Sequence, residues 1–320
     1  MGLNRGLFKK GGISGLRKAW SGYLWILKIL IPISLLTSVL EWTRIIYYLD
    51  IILRPIMGFL SLPATAAFPL LMGMLTGIYG GIAAMTALPF TVEQMTLIAI
   101  FMTMCHGLIQ EGFIQGKTGL HFIPATLFRL VTATLTVLAV APFLQSSPEI
   151  SASAGASARN MPSIISMLGA WGVAVFHLMW KILIIIMVIL VLLELLKVMG
   201  WIRYVAWVVS PILKMLGLSQ RVAFLWIAGA VFGLSYSAAI IMEEVKDGHL
   251  TKQELQQLHL SIGIQHSIIE DPILFMALGL NPFWLWFPRF ITAMVTVRGY
   301  TFWQEYKKKT AQGPRRKAQG

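Results

Sequence analysis

His106-Gly107-Leu108-Ile109-Gln110-Glu111 returns 160 residues later as His266-Ser267-Ile268-Ile269-Glu270-Asp271. His returns as His, and the amide–acid pair returns as an acid pair. At the same offset, Arg129-Leu130-Val131-Thr132-Ala133-Thr134-Leu135-Thr136-Val137 falls on Arg289-Phe290-Ile291-Thr292-Ala293-Met294-Val295-Thr296-Val297, with five of nine residues identical. Upstream the offset becomes 156: Pro55 falls on Pro211, Ala67-Phe68 on Ala223-Phe224 and Gly77 on Gly233. The four-residue change places an insertion near Glu243–His249. Apolar coincidences are cheap, so the His, acid, Arg-x-x-Thr-Ala and Gly matches carry the reading of an internal duplication.

Both copies end stretches apolar enough to lie in a bilayer. Of the 320 residues 57% are hydrophobic and 12% charged, where a soluble domain carries about a quarter charged. Several runs approach the roughly 18–20 apolar residues that cross a membrane. The net charge of +13 does not point to nucleic acid, because it gathers at the ends: Arg5, Lys9, Lys10, Arg17 and Lys18, then Lys307, Lys308, Lys309, Arg315, Arg316 and Lys317. Basic residues flanking apolar helices are the positive-inside pattern. Cys105 is the sole cysteine, which excludes an intrachain disulfide. The first apolar run has no small-residue cleavage site after it and reads as a retained span.

The chain divides into a basic lead at 1–20, a first unit at 21–144, a flexible linker at 145–170, a second unit at 171–300 and a basic tail at 301–320. About ten helical segments are predicted: 22–40, 43–61, 65–87, 93–111 and 121–144, then 172–198, 201–217, 221–242, 254–271 and 283–300. Residues 43–61 carry Arg44, Asp50 and Arg54, and are read as a span in preference to a helix lying in the interface. The third segment of each unit breaks, at Gly77, Gly80 and Gly81 and at Gly233. Both basic termini are expected in the cytoplasm and the linker, with Arg159 its only Lys or Arg, outside. Each unit then crosses an odd number of times, by five spans or by three plus a buried hairpin. The two units have opposite orientation, and inverted repeats of this kind place a substrate site at their interface.

Ionisable residues at membrane depth are functional candidates by default. On an unbroken helix His106 shares a face with Gln110 and His266 with Glu270, since i and i+4 align. Glu111 and Asp271 point elsewhere unless the helix ends there. Each Arg lies 18 residues after its acid, so Arg129–Glu111 and Arg289–Asp271 are candidate ion pairs across antiparallel helices. The Gly breaks expose backbone groups, and Tyr79, Ser235, Tyr236 and Ser237 add hydroxyls. The two His-acid motifs are expected to meet near a pseudo-twofold axis. A metal role for them is left open. No His-Glu-x-x-His, phosphate-binding loop or Cys pair is present, so neither an enzyme nor a cofactor is expected.

A duplicated unit with a Gly-broken helix followed by a polar-ended one resembles the nucleoside-recognition or Gate domain. That domain is found in spore maturation membrane proteins A and B, and twice in the membrane part of the B-type ferrous iron transporter. The breaks here, Gly77-Ile78-Tyr79-Gly80-Gly81 and Gly233-Leu234-Ser235-Tyr236-Ser237, lack the Cys of the iron transporter, and no GTP-binding domain is present. The resemblance implies an all-α membrane protein of two Gate-like repeats. The expected function is secondary transport of a small polar solute or ion, nucleoside-like or metallic, with proton coupling through the histidines. The alternative is a non-transporting scaffold. The partners expected are the lipid bilayer, the solute, and a second copy or another membrane protein.

Overall fold

The computed structural model describes residues 5–48, 50–144, 163–248 and 250–317, and every regular element among them is helical. The linker stretch 145–162 lies outside the described residues. Among the described residues, four helical stretches are long and apolar enough to cross a bilayer: Phe8–Trp42, Val92–Lys117, Phe122–Leu144 and Ile164–Val198, with a fifth if the bent pair Leu53–Phe59 and Ala64–Thr76 is taken as one.

Helix α1, Arg5–Trp42, runs through both the expected basic lead and the first span. It is followed by α2, Ile45–Tyr48, and α3, Asp50–Phe59. Ten residues reach about 15 Å at 1.5 Å per residue, half of the hydrocarbon thickness, and the end of α3 lies at 87° to the next helix. Neither α2 nor α3 is long enough to cross by itself; residues 53–59 reach across only when joined through that bend to the helix at 64–76. In the second half α9, Ile164–Val198, starts on a Ser163 cap, so residues 163–170 belong to that helix and not to the linker. It is followed by α10, Ile202–Leu216, a short helix with exposed Tyr204, Trp207 and Val208.

The third segment of each half is a hairpin. Helices α4, Ala67–Thr76, and α5, Ile78–Thr86, meet at Gly77. They fold back so closely that a Cβ on Gly81 would lie 3.1 Å from Gly73 Cα and 3.2 Å from the Pro69 carbonyl. In a continuous helix residues eight apart are about 12 Å apart. Gly77 has φ 93° and ψ 178°, a conformation essentially confined to glycine. Helices α11, Ala223–Phe232, and α12, Leu234–Lys246, repeat the plan around Gly233 at φ 85° and ψ 164°. At 13 residues against 9, α12 is longer than α5 by the four residues that change the sequence offset.

Next comes α6, Val92–Cys105, broken from α7, Leu108–Lys117, then α8, Phe122–Leu144. The corresponding elements are α13, Lys252–Gln265, α14, Glu270–Met276, and α15, Pro282–Lys317. Helices α6 and α13 both open on a capping box, Thr91 with Gln94 and Thr251 with Glu254, 160 residues apart. Thr91→Ala or Thr251→Ala is expected to cost about 1 kcal/mol, the usual worth of such a cap, measurable as a small fall in the detergent unfolding midpoint.

Helices α1 and α9 pack antiparallel along their length. Lys18 Nζ lies 2.7 Å from Glu194 Oε2, Tyr23 Oη donates to the Met179 carbonyl at 3.3 Å, and Trp171 Nε1 donates to Ser34 Oγ at 3.2 Å. One end of the molecule gathers the start of α1, the end of α9, and the start of α13, where Ser219 Oγ donates to Glu254 Oε1 and Lys308 Nζ to Gln253 Oε1. This is the basic end. The opposite end gathers Trp42, Thr86 and Ser166 around a polar cleft of about 390 Å3.

Candidate functional site

Both broken helices break at their histidine. Helix α6 ends at Cys105, His106 is extended, and Gly107 turns left-handed at φ 54°. Helix α13 ends at Gln265, His266 is extended, and Ser267 takes φ 49°. A break at membrane depth frees backbone groups that must be satisfied within the protein, and the hairpins do this. Gly107 N–H donates to the Gly73 carbonyl at 2.9 Å, and Ile268 N–H to the Ala230 carbonyl at 2.7 Å.

The carbonyls at the two helix ends are taken by the arginines, in the same way twice. Arg129 donates from Nε to Met104 O at 2.9 Å and from Nη2 to His106 O at 2.7 Å. Arg289 donates from Nε to Ile264 O at 3.0 Å and from Nη2 to His266 O at 2.8 Å. The planar fork of guanidinium suits two neighbouring carbonyls in a way that a lysine would not. Arg129 is 1% and Arg289 0% exposed, so both charges are fully enclosed.

The two breaks meet. The His106 and His266 rings lie 4.8 Å apart between centroids. Glu111 reaches both: Oε1 is 3.4 Å from His106 Nε2, and Oε2 is 3.2 Å from His266 Nε2. Glu111 Oε2 also pairs with Arg129 Nη1 at 2.7 Å, the ion pair expected from the spacing. The second expected pair is different. Asp271 lies 3.8 Å from His106 Nδ1, across the unit boundary, while Asp271 Oδ2 and Arg289 Nη1 are both buried without a hydrogen-bond partner. Tyr79, next to the first hairpin tip, donates its hydroxyl to Glu270 Oε1. First-half and second-half residues thus alternate around one cluster.

Some expected residues sit elsewhere. Gln110 is exposed, because the helix does not continue through His106 and the i, i+4 argument fails with it. The same break brings Glu111 and Asp271, expected to point away from an unbroken helix, onto the histidines. Ser237 is buried and donates to Leu234 O within its own helix at 3.0 Å. The side chains of Ser235 and Tyr236 lie outside the described residues. Gly80 admits the close approach of Ile33 on α1, and Gly81 that of Met102.

The proton positions on the rings follow from their partners. His106 Nδ1 is 2.8 Å from Met102 O, and His266 Nδ1 is 3.1 Å from Ile262 O. A carbonyl only accepts, so both Nδ1 atoms carry the hydrogen and both Nε2 atoms present lone pairs in the neutral ring. Those lone pairs face the Glu111 carboxylate, which also only accepts. A proton or another cation between them turns the contact from repulsive to attractive. The formal charges agree: three carboxylates, Glu111, Glu270 and Asp271, stand against two guanidiniums. Ligand atoms of His106, His266 and Asp271 also lie within 4.8 Å of one another, a donor set that divalent first-row metals accept.

Two further residues escaped the sequence reading, Gln115 and His259. Both are fully buried, with Gln115 Oε1 and His259 Nδ1 unpartnered. Separate from the polar cluster, an apolar groove of about 590 Å3 runs along α8 and α15, lined by Leu135, Phe143, Phe287 and Val295. Thr136 and Thr292 hydrogen-bond beside it at 2.7 Å.

The chain is 24% identical over 309 residues to an uncharacterized membrane protein, YvoD, of Bacillus subtilis (strain 168), covering 94% of this chain and 96% of that one. No family model matches the chain, and no solved structure matches it. The likeness over almost the whole of both chains agrees with the long apolar helices: the protein is a helical membrane protein.

Proposed function

We propose that the protein is a secondary transporter or permease for a small polar solute or ion, and not an enzyme, with its site where two inverted Gate-like units meet. In this reading each unit crosses three times, by α1, α6–α7 and α8 and by α9, α13–α14 and α15, the last two taken as crossings by their repeat relation to α6–α7 and α8 and not by apolarity, and adds one re-entrant hairpin, from the outside in the first unit and from the cytoplasm in the second. Both termini are then cytoplasmic. Recurrence of the Gly77 and Gly233 tips at an offset of 156, and of the capping boxes and arginine forks at 160, supports this plan.

The observation that carries the reading is the meeting of His106, His266 and Glu111 through acceptor atoms. Membrane depth makes such a cluster costly, and a scaffold has no use for it. Its formal deficit of one positive charge favours a proton as the bound cation and hence proton coupling, with Glu111 and the two Nε2 atoms sharing it. The polar solute would bind beside the Tyr79–Glu270 contact, at the hairpin tips.

Uptake into proteoliposomes, against nucleosides, divalent metals and organic anions with and without an imposed pH gradient, tests this. Uptake of one class should rise with the gradient and vanish in Glu111→Gln and His266→Ala. Uptake of a metal without gradient dependence would replace the proton by the metal. No uptake of any class by folded protein would leave the scaffold reading.

A further inference from the structure

Both termini of α10 lie at the basic end. The helix begins at Ile202, just after α9 stops at Val198. Three residues past its own end, Ser219 Oγ donates to Glu254 Oε1 at 2.9 Å, at the start of α13. Arg298 of α15 closes its last turn, donating from Nε to Met215 O at 2.8 Å and from Nη2 to Lys214 O at 3.2 Å. Fifteen residues reach about 22 Å, so α10 runs along this end and does not enter the molecule.

Its described positions divide by helical spacing into three sides. Val205, Val209, Leu213 and Leu216 turn to the body, the last two fully buried. Tyr204, Trp207, Val208, Ile212 and Met215 form a second apolar stripe, and it is bare: Trp207 is 79% and Tyr204 60% exposed. Ser210 and Lys214 stand on the remaining side. Between α10 and the end of α9 an apolar hollow of about 500 Å3 is lined by Leu196, Trp201, Tyr204, Val205 and Val208. The bare stripe recurs at offset 156, where Tyr48, Ile56 and Phe59 answer Tyr204, Ile212 and Met215 and are all exposed. A contiguous apolar patch of this kind marks an interaction surface.

Charge selects the occupant. In sequence α10 carries Arg203 and Lys214 and no acid, whereas α3 sets Asp50 against Arg54. Lys197, next to Leu196 of the hollow, and Lys214 are both exposed. A second copy docked on the same patch by a twofold axis would turn these cations on their own equivalents. A short helix with Trp and Tyr on one side and cations on another suits the plane of an anionic membrane surface. We propose that α10 is an interfacial helix that holds anionic phospholipid in the leaflet at the basic end. Its Tyr204–Trp207 stripe enters the acyl region, the hollow beside Trp201 takes part of one acyl chain, and Lys197 and Lys214 meet headgroup phosphates. Helix α3 lies likewise in the opposite leaflet, without a preference for charged lipid. The proposal needs a membrane and not the transport reading.

Trp207→Cys and, separately, Ile56→Cys are made in the full chain, whose native Cys105 is buried. Each is labelled with a thiol-reactive bimane and reconstituted in mixed phosphatidylcholine and phosphatidylglycerol vesicles. In one set the phosphatidylcholine is brominated on its acyl chains, in the other the phosphatidylglycerol. Bromine should quench both labels, equally from the two lipids at 56 and more strongly from phosphatidylglycerol at 207. Lys214→Gln should lower that preference by up to about fivefold, the effect of one basic residue at an anionic surface. The substituted side chains are exposed, and elution as a folded species confirms each variant. A label at 207 that neither lipid quenches lies in water or against a second copy, and overturns the proposal. Equal quenching by the two lipids at 207, a preference that Lys214→Gln leaves unchanged, or the same preference at 56 overturns it too, since the cations of α10 would then select nothing.

Discussion

Arg129→Ala should collapse the protein's stability by about 3–5 kcal/mol, the usual cost of stranding one member of a buried ion pair. Three groups lose their partner at once: the Glu111 carboxylate, and the Met104 and His106 carbonyls freed where α6 stops. Arg289→Ala should be similarly damaging although no ion pair within 4.0 Å is formed by Arg289 among the described residues, because it caps the end of α13 by the same fork. Adding Glu111→Gln to Arg129→Ala should recover part of the loss and not all of it, since the carbonyls stay bare. Unfolding midpoints of the purified variants in one detergent decide this. If Arg129→Ala alone unfolds at the wild-type midpoint, the fork is ornamental.

The second large effect is expected at the first hairpin. Gly73 and Gly81 form a notch that holds the Met102 thioether. At the equivalent place in the second hairpin stand Gly229 and Ser237, with the shorter Ile262 as the side chain they meet. Gly81→Ser should therefore overpack the notch by about 1–3 kcal/mol, and Met102→Ile made together with it should restore most of the loss by copying the second hairpin's pair. Gly77→Ala is of another kind: no atom lies within 4 Å of an added Cβ, but the backbone conformation there costs about 1–3 kcal/mol for any other residue. No substitution of a neighbour should repair it. A Gly81→Ser variant rescued equally by Met102→Leu would show that only volume matters.

The duplication was legible because its signal is polar: His, acid, Arg and Gly recur against an apolar background in which Leu and Ile matches mean little. The arginine depth was legible too, since antiparallel spacing alone put Arg129 beside Glu111. The break at His106 was not. Gly107 is one glycine among many in the chain, and its counterpart is Ser267, a residue that rarely takes positive φ. Both Gln110 and Glu111 were placed on the site, Gln110 by the face it shares with His106 on an unbroken helix and Glu111 by its spacing to Arg129; the break keeps Glu111 there and leaves Gln110 exposed. Helices α2, α3 and α10 were ambiguous in composition, and the structure adds that each alone is too short to cross, with α3 ending in a sharp bend. His259 had no partner at the equivalent position, Ala99, so a search for repeated residues passed over it.

That mismatch has an energetic consequence. If the two units exchange shapes during a cycle, the exchanged state would bring Phe275, Leu278 and Ala99 into the settings now held by Gln115, Thr118 and His259. Putting apolar side chains into a polar setting and polar ones into an apolar setting both raise the free energy. The two end states of the cycle would then be unequal in population, with the resting molecule held in the arrangement described above until a ligand's preference for the other state offsets the difference.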